Sequence, residues 1–331
     1  MKHQYLFELG GENTELGKIE AMELLSTESC DPVIIFDEKS IIAINVSKVI
    51  KSKIIRRLGM TKRVSKIFYK NKETSLELIV KEMPQIDIDQ NTFAIRQISK
   101  KKMSERDIAT TLGKRIPKHN ETNLALPDVK ILYYAGTETI ISIWDKTLET
   151  YYKRCLKHHI KNRPFFSPIG IHPRIARSMV NLSNCSEGET MIDPFCGTGG
   201  MLIEARDMEI NAIGIDIIEK MVDYSIGNLD HYGLKAEVIE GDVETSSNYQ
   251  FKAIVTDPPY GLSTTTRGEG VSELMIRSMN IFSKIMTKGE RIVMALSNPE
   301  LVKDSNYDEI YRFQWYIHKS LTRNILVLEK N

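Results

Sequence analysis

Residues 189–208 read ETMIDPFCGTGGMLIEARDM, and this stretch decides the fold. Glu189–Asp193 has the apolar, β-branched character of a strand, Pro194–Gly200 is a glycine-rich turn, and Met201–Met208 has the composition of a helix. The same alternation continues downstream. Ala212–Ile217 is a second strand ending in Asp216, and Glu219–Tyr232 is a helix that Gly233 can terminate. Ala236–Ile239 is a third strand with Asp242 just beyond it, and Lys252–Thr256 a fourth, leading into Asp257-Pro258-Pro259-Tyr260. Leu274–Met286 is a helix, and Arg291–Leu296 is a fifth strand. Phe313–His318 and Asn324–Leu328 close the pattern as an antiparallel pair. Alternating strands and helices predict an α/β, Rossmann-like domain on a mostly parallel seven-stranded sheet. Met275, Met279 and Met286 recur at helical spacing and are expected to pack on that sheet.

The turn is neither a Walker A loop, since no Gly-Lys-Ser/Thr follows, nor a GxGxxG fingerprint. Asp193 before the glycines would repel a pyrophosphate but can pair with a cation. Asp216, some 20 residues on, suits ribose hydroxyls, and Asp242 suits an adenine amine. A ligand with adenine, ribose and a positive charge but no phosphate is S-adenosylmethionine. After the fourth strand, two prolines remove N–H donors and leave the Asp257 carboxylate in an acceptor-rich corner. Such a corner can grip an exocyclic base amine so that its lone pair faces the methyl group, while Tyr260 stacks on the base.

The chain upstream of about residue 150 reads as α+β. Strands are expected at His3–Leu9, Val33–Phe36, Ile41–Val46, Val64–Tyr69, Thr92–Ile98, Val129–Tyr134 and Thr139–Trp144. Helices are expected from Thr14 to Leu25 and over Val49–Leu58 and Glu105–Arg115. The net charge of +1 hides an asymmetry. Residues 51–70 hold eight Lys/Arg and no acid, residues 96–118 eight against two acids, and residues 153–177 seven and no acid. These segments predict a surface that meets a polyanion. Lys62, Arg63, Lys66, Lys100, Lys101, Lys114, Arg115, Arg163 and Arg174 are the expected RNA-binding residues. His158 and His159, in the basic connector, are expected to face solvent or phosphate.

Hydrophobic residues make up 41% of the 331-residue chain, and no window approaches the ~18 uninterrupted apolar residues of a membrane span. Glu8 stands where a signal peptide would have its apolar core, so a cytoplasmic protein is expected. Cys30, Cys155, Cys185 and Cys196 form no CxxC pair, which argues against a zinc cluster or a disulfide framework; no metal is expected.

DPFCGTGGMLIEA at 193–205 and TDPPYGLS at 256–263 resemble the class I S-adenosylmethionine-dependent N-methyltransferases of nucleic acids. RPFFSPIGIHPRIARSMVNL at 163–182 resembles the segment preceding the catalytic core in archaeal tRNA (guanine-10-N2)-methyltransferases. FAIRQISK at 93–100 and the hairpin at 129–144 resemble a THUMP RNA-binding domain. The resemblance implies a ferredoxin-like domain at 1–55, a THUMP domain at 56–150, a linker at 151–165 and a methyltransferase domain at 166–331. It implies that Asp193, Phe195, Cys196, Gly197 and Gly199 line the methionine side of the cofactor, that Asp216 and Ile217 hold the ribose, and that Asp242 and Val243 hold the adenine. Asp257, Pro258 and Tyr260 would then hold the target guanine, with Asp257 also reaching the cofactor. The implied substrate is the N2 amine of guanosine 10 in tRNA, methylated once or twice by a monomer, with room for a small activator protein. Three readings stay open beside it: an enzyme acting on tRNA position 6 or ribosomal RNA, a DNA amino-methyltransferase, and a non-catalytic RNA-binding protein.

Overall fold

The apolar runs pair into two separate sheets. The computed structural model describes residues 3–73, 75–88, 92–98, 103–166, 170–259, 269–318 and 321–331. They form two compact units. The first comprises Met1–Thr14, Ser29–Arg56 and Thr61–Tyr151; the second comprises Glu15–Glu28, Arg57–Met60 and Tyr152–Asn331.

The first unit is built on an eight-stranded sheet. Its strands are β1 (His3–Leu9), β2 (Val33–Glu38), β3 (Ile41–Val46), β4 (Thr61–Asn71), β5 (Thr92–Gln97), β6 (Glu121–Thr122), β7 (Val129–Ala135) and β8 (Thr139–Asp145). They lie in the order β2-β3-β1-β4-β8-β7-β5-β6, antiparallel except where β5 pairs with β6 and β7. The helices α1 (Thr14–Thr27) and α2 (Ser52–Arg57) precede α3 (Leu76–Glu82) and α4 (Glu105–Gly113) along the chain. Leu76 and Ile79 of α3 and Ile108 and Leu112 of α4 cover Phe93, Ile95, Ile131 and Ile141, the inward positions of β5, β7 and β8. The sequence pattern did not reveal α3, whose seven residues are too short for a period to show.

The second unit carries a seven-stranded sheet. It contains β9 (Thr190–Asp193), β10 (Asn211–Asp216), β11 (Glu237–Glu240), β12 (Ala253–Thr256), β13 (Arg291–Leu296), β14 (Tyr307–His318) and β15 (Leu321–Lys330). Its helices are α5 (Pro173–Leu182), α6 (Gly200–Asp207), α7 (Glu219–His231) and α8 (Val271–Ile285). The strand order is β11-β10-β9-β12-β13-β15-β14. The first five strands run parallel, and β15 inserts antiparallel between β13 and β14.

Both faces of this sheet are covered, which is why its strands read as unbroken apolar runs. Val255, Val293, Ala295, Ile325 and Val327 face one layer with α5, α6 and Leu16 of α1. Ile254, Ile292, Met294, Leu326 and Leu328 face the other, where Met275, Met279 and Phe282 of α8 pack with Met286.

Helix α1, although it lies in sequence between β1 and β2, belongs to the second unit. Its Glu20 is fully buried and accepts from the N–H groups of Gly59 and Met60, both at 2.8 Å, and from the Asn181 amide at 2.9 Å. Burial pushes the Glu20 carboxyl above its usual range, and these three donors oppose the shift.

The connector after Tyr151 forms two short 3-10 turns, Tyr151–Leu156 and Ile160–Asn162. His158 does not face solvent as expected; it is 5% exposed, with Nδ1 3.0 Å from Glu204 Oε1. Arg177 Nη1 donates to Glu204 at 2.9 Å and to Asp207 at 2.8 Å. His158, Glu204 and Asp207 lie close enough to hold a metal ion. The Arg177 guanidinium already bridges the two carboxylates and supplies the charge a cation would bring. Among the described residues no helix is long and apolar enough to cross a membrane.

Candidate active site

The acids at the strand ends converge because parallel strands all present their carboxyl ends to one edge of the sheet. Asp193 ends β9. Its Oδ1 accepts from the Phe195 N–H at 3.1 Å and from the Thr256 hydroxyl at 2.6 Å. Asp193 is 2% exposed, and burial pushes its carboxyl up to about 7. The Thr256 and Phe195 donors oppose that rise, while Asp257 and Asp216 add to it.

The chain then turns through Gly197 and Gly199, at φ +53° and +78°. A side chain at Gly199 would be strained there, and its Cβ would lie 2.4 Å from Ser225 Oγ on α7. Asp216, at the end of β10, fastens this loop: Oδ2 accepts from Gly197 N at 2.9 Å, and Oδ1 from Ile218 N at 3.0 Å. Burial raises its carboxyl, and these two N–H donors work against it.

Asp242 follows β11. It is gripped by Arg277 of α8, whose Nη1 and Nη2 lie 2.6 and 3.1 Å from its two oxygens. The same guanidinium holds Glu269 at 3.0 and 2.7 Å. Hydrogen bonding to Arg277 lowers both acids. Neither Arg277, on α8, nor Glu269, just before it, was singled out from the sequence, because a single charged residue carries no local signal of its partner.

Asp257 follows β12, and its Oδ2 lies 3.2 Å from Arg323 Nη2. Its Oδ1 is buried and has no hydrogen-bond partner among the described residues. Burial pushes the carboxyl up to about 7, and the Arg323 charge pulls against that. Arg323, 5% exposed near the start of β15, was also missed in the sequence. β15 begins where β13 ends, with Asn324 opposite Leu296, so Arg323 arrives at the same edge as Asp257.

A cavity of about 360 Å³ opens along this edge. Asp193, Phe195, Cys196, Gly197, Asp216, Ile217, Asp242, Val243, Asp257 and Pro258 line it, together with Arg163, Met221, Leu274 and Arg277. Gly199 turns the chain beneath the cavity and is not part of its wall. Cys196 is 6% exposed, and burial raises its thiol well above the ordinary value, which disfavours the thiolate. Tyr260 lies outside the described residues, as do Lys100 and Lys101.

The remaining basic candidates separate by exposure. Lys62, Lys66 and Lys114 are exposed on the first unit. Arg63 pairs with Glu8 at 3.2 Å, and Arg115 donates to the Lys81 carbonyl at 2.6 Å. Arg174 stacks over the Tyr152 ring at 4.3 Å. Arg163 is 5% exposed and faces the cavity, not an outer surface.

The wall chemistry suits a cationic nucleoside. Four aspartates surround the space, backbone and apolar groups line the rest, and one buried carboxylate oxygen remains to take a donor.

Comparison with known proteins agrees with this arrangement. A family model described as an RMKL-like methyltransferase domain matches residues 161–314, and one described as a DNA methylase matches residues 32–227. A tRNA (guanine(10)-N2)-dimethyltransferase of Methanothermobacter thermautotrophicus is 40% identical over 173 residues, 51% of this chain and 52% of that protein. The match thus spans about half of that relative's length. A probable tRNA (guanine(10)-N2)-dimethyltransferase of Methanothermococcus thermolithotrophicus is 38% identical over 167 residues, 47% of this chain and 98% of that one. The crystal structure of TrmN from Thermus thermophilus shares the fold, with a TM-score of 0.58 at 16% identity over 99% of this chain and 100% of that one. The chain belongs to the methylase family whose model matches residues 32–227 and to the tRNA (guanine(10)-N2)-dimethyltransferase family.

Proposed function

We propose that the chain is an S-adenosylmethionine-dependent enzyme that methylates the N2 amine of guanosine 10 in tRNA, adding two methyl groups in succession. The observation that carries this reading is the buried Oδ1 of Asp257, without a hydrogen-bond partner among the described residues, at the wall of an aspartate-lined cavity. When bound, S-adenosylmethionine supplies an electrophilic methyl group on a sulfonium. Asp193 and Asp216 would hold its methionine and ribose ends, and Asp242 with Val243 the adenine.

The chain's own task is to present a weak nucleophile. An amine conjugated to a base has a delocalised lone pair. Asp257 Oδ1 accepts one of its N–H groups and turns the nitrogen toward the methyl. The Pro258 and Pro259 nitrogens offer no competing donors. After transfer the substituted nitrogen is strongly acidic, and Asp257 takes its proton or passes it to water. Positioning in a water-poor site supplies most of the rate. Tyr260 keeps its sequence-based role of stacking on the base, which must first leave its own stack at a cost of about a few kcal/mol. In this reading residues 56–150 act as a THUMP-like RNA-binding module, and the enzyme works as a cytoplasmic monomer.

The test is methylation of unmodified tRNA transcripts with labelled cofactor, followed by nuclease mapping of the product. N2,N2-dimethylguanosine at position 10 supports the reading, provided that Asp257→Ala abolishes incorporation while tRNA affinity holds. A product at another nucleotide moves the enzyme to another target. The DNA methylase match favours a second reading, in which an amino group of a DNA base is the substrate. Incorporation into duplex DNA and not tRNA selects it. If neither nucleic acid is labelled, repeating the assay with an activator protein present is the control.

A further inference from the structure

Arg277 grips two acids of the cavity wall at once, and the chemistry above uses only one of them. Helix α8 lays Leu274, Met275, Met279 and Phe282 against the sheet. That packing brings Arg277, three residues after Leu274, to the same cavity that Leu274 lines. One edge of its guanidinium meets Asp242, with Nη1 2.6 Å from Oδ1 and Nη2 3.1 Å from Oδ2. The adjacent edge meets Glu269, with Nε 3.0 Å from Oε1 and Nη2 2.7 Å from Oε2. Glu269 stands one residue before Gly270, the N-terminal cap of α8, and also lines the cavity. Glu244, mostly exposed, reaches Nη1 at 3.6 Å.

This geometry gives the two acids different tasks. Asp242 follows β11 at the carboxyl edge of the sheet, and its side chain is 36% exposed. Without the fork, a carboxylate that open to water would be solvated, and exchanging water for a ligand donor would gain it little. The Arg277 fork holds both its oxygens in one plane. Those two bonds use about half of a carboxylate's roughly four acceptor positions, so a further N–H can still be taken. Holding an arginine side chain in one place costs rotamer entropy. Glu269 does that holding, from the edge of the guanidinium that Asp242 does not occupy. One guanidinium between two carboxylates also leaves the cluster net negative, which suits an amine donor and disfavours an acceptor.

We propose that Arg277 and Glu269 are positioning residues that set the preference of the site for an adenine amine: Arg277 orients Asp242 toward the 6-amino group, and Glu269 orients Arg277. The inference rests on the S-adenosylmethionine reading of the cavity and assigns neither residue a contact with the cofactor.

The test compares S-adenosylhomocysteine with its purine analogue, in which hydrogen replaces the 6-amino group. Both are titrated calorimetrically into the full chain and into its Arg277→Met and Glu269→Ala variants. The wild-type chain is expected to prefer the adenine compound by at least about tenfold, the worth of a hydrogen bond to a charged acceptor. Arg277→Met is expected to cut that preference to about threefold or less, with the affinity for the purine compound changed less than about twofold. Glu269→Ala, which leaves Asp242 and Arg277 in place, is expected to narrow the preference to a smaller degree. It decides the matter if thermal unfolding shows Arg277→Met to be misfolded. Equal weakening of both compounds by the variants overturns the proposal and makes the cluster a structural strut, and an unchanged preference overturns it too. A wild-type chain that binds both compounds equally removes Asp242 from the adenine site, and one that binds neither overturns the cofactor reading; in either case the inference falls.

Discussion

In the proposed role Asp257 accepts from an amine as a carboxylate, yet it sits where water is scarce. Burial outweighs the opposing charge of Arg323 and leaves its carboxyl raised to about 7. Among the described residues the charged groups around it are Arg323 from β15 and Asp193 from β9, the latter a like charge. Arg323→Met leaves burial and repulsion unopposed, so the acid limb of the kcat–pH profile should move to higher pH. At pH 7 the rate should fall about tenfold or more, with part of it returning at pH 9. A loss that is the same at every pH would make Arg323 a packing residue. Asp193 gives the opposite lesson. Its folded-state value of about 7 stands above the ordinary 3.8, so the folded chain binds this proton more tightly than the unfolded one. The stability it contributes is full below about pH 4 and is lost as pH rises through about 7. Asp193→Asn removes that loss, and the melting temperature of the second unit should rise by at least about 2–4 °C at pH 8, the gap closing toward pH 4. Scanning calorimetry at the two pH values measures it.

Among the elements, α1 and α5 show where periodicity stops informing. Leu16, Ala21, Leu24 and Leu25 of α1 are buried at helical spacing, and the helix is legible from them. Glu20 lies on that same buried face and ties α1 to the Gly59–Met60 backbone and to α5. Glu20→Ala would leave the Gly59 and Met60 N–H groups without an acceptor and the Asn181 amide with only the Arg57 carbonyl. It should cost about 2–4 kcal/mol in urea unfolding, and Glu20→Gln, which keeps an acceptor, clearly less. Helix α5 has the start signals of a helix, with His172 Nδ1 accepting from Arg174 N at 3.2 Å and Pro173 at its first position. It buries Arg177, Ser178 and Asn181 along with its apolar residues, so polar side chains that its amphipathic sequence would leave outside end up inside the fold. The strands of the second sheet, covered on both faces, were legible to within a few residues because nothing interrupts their apolar runs.

At the scale of the whole molecule, the chain passes from one unit to the other at 14/15, 28/29, 56/57, 60/61 and 151/152. Composition divides it more simply, near residue 150, because charge and hydropathy are read along the chain and contacts are not. Lys62 and Lys66 on β4 are exposed and are candidates for phosphate contacts, whereas Arg63 is half-buried beside Glu8. Replacing both lysines with glutamine should lower the slope of log affinity for tRNA against log salt by about 2, with Arg63→Gln having the smaller effect. An unchanged slope would place the RNA surface elsewhere.

The sequence by itself determined the alternation of strands and helices, the glycine turn and the acids at successive strand ends. Those features are local, and parallel strands must bring their carboxyl ends to one edge. Only the tertiary structure decided how the charges pair: Asp257 with Arg323, Asp242 with Arg277, and Arg163 turned into the cavity. The antiparallel insertion of β15 beside β13 carries Arg323 to the strand ends, and α8 packing on the sheet carries Arg277 to Asp242. Periodicity tells which face of an element is buried; the partner of a buried charge is set by sheet order, which joins residues far apart in the chain.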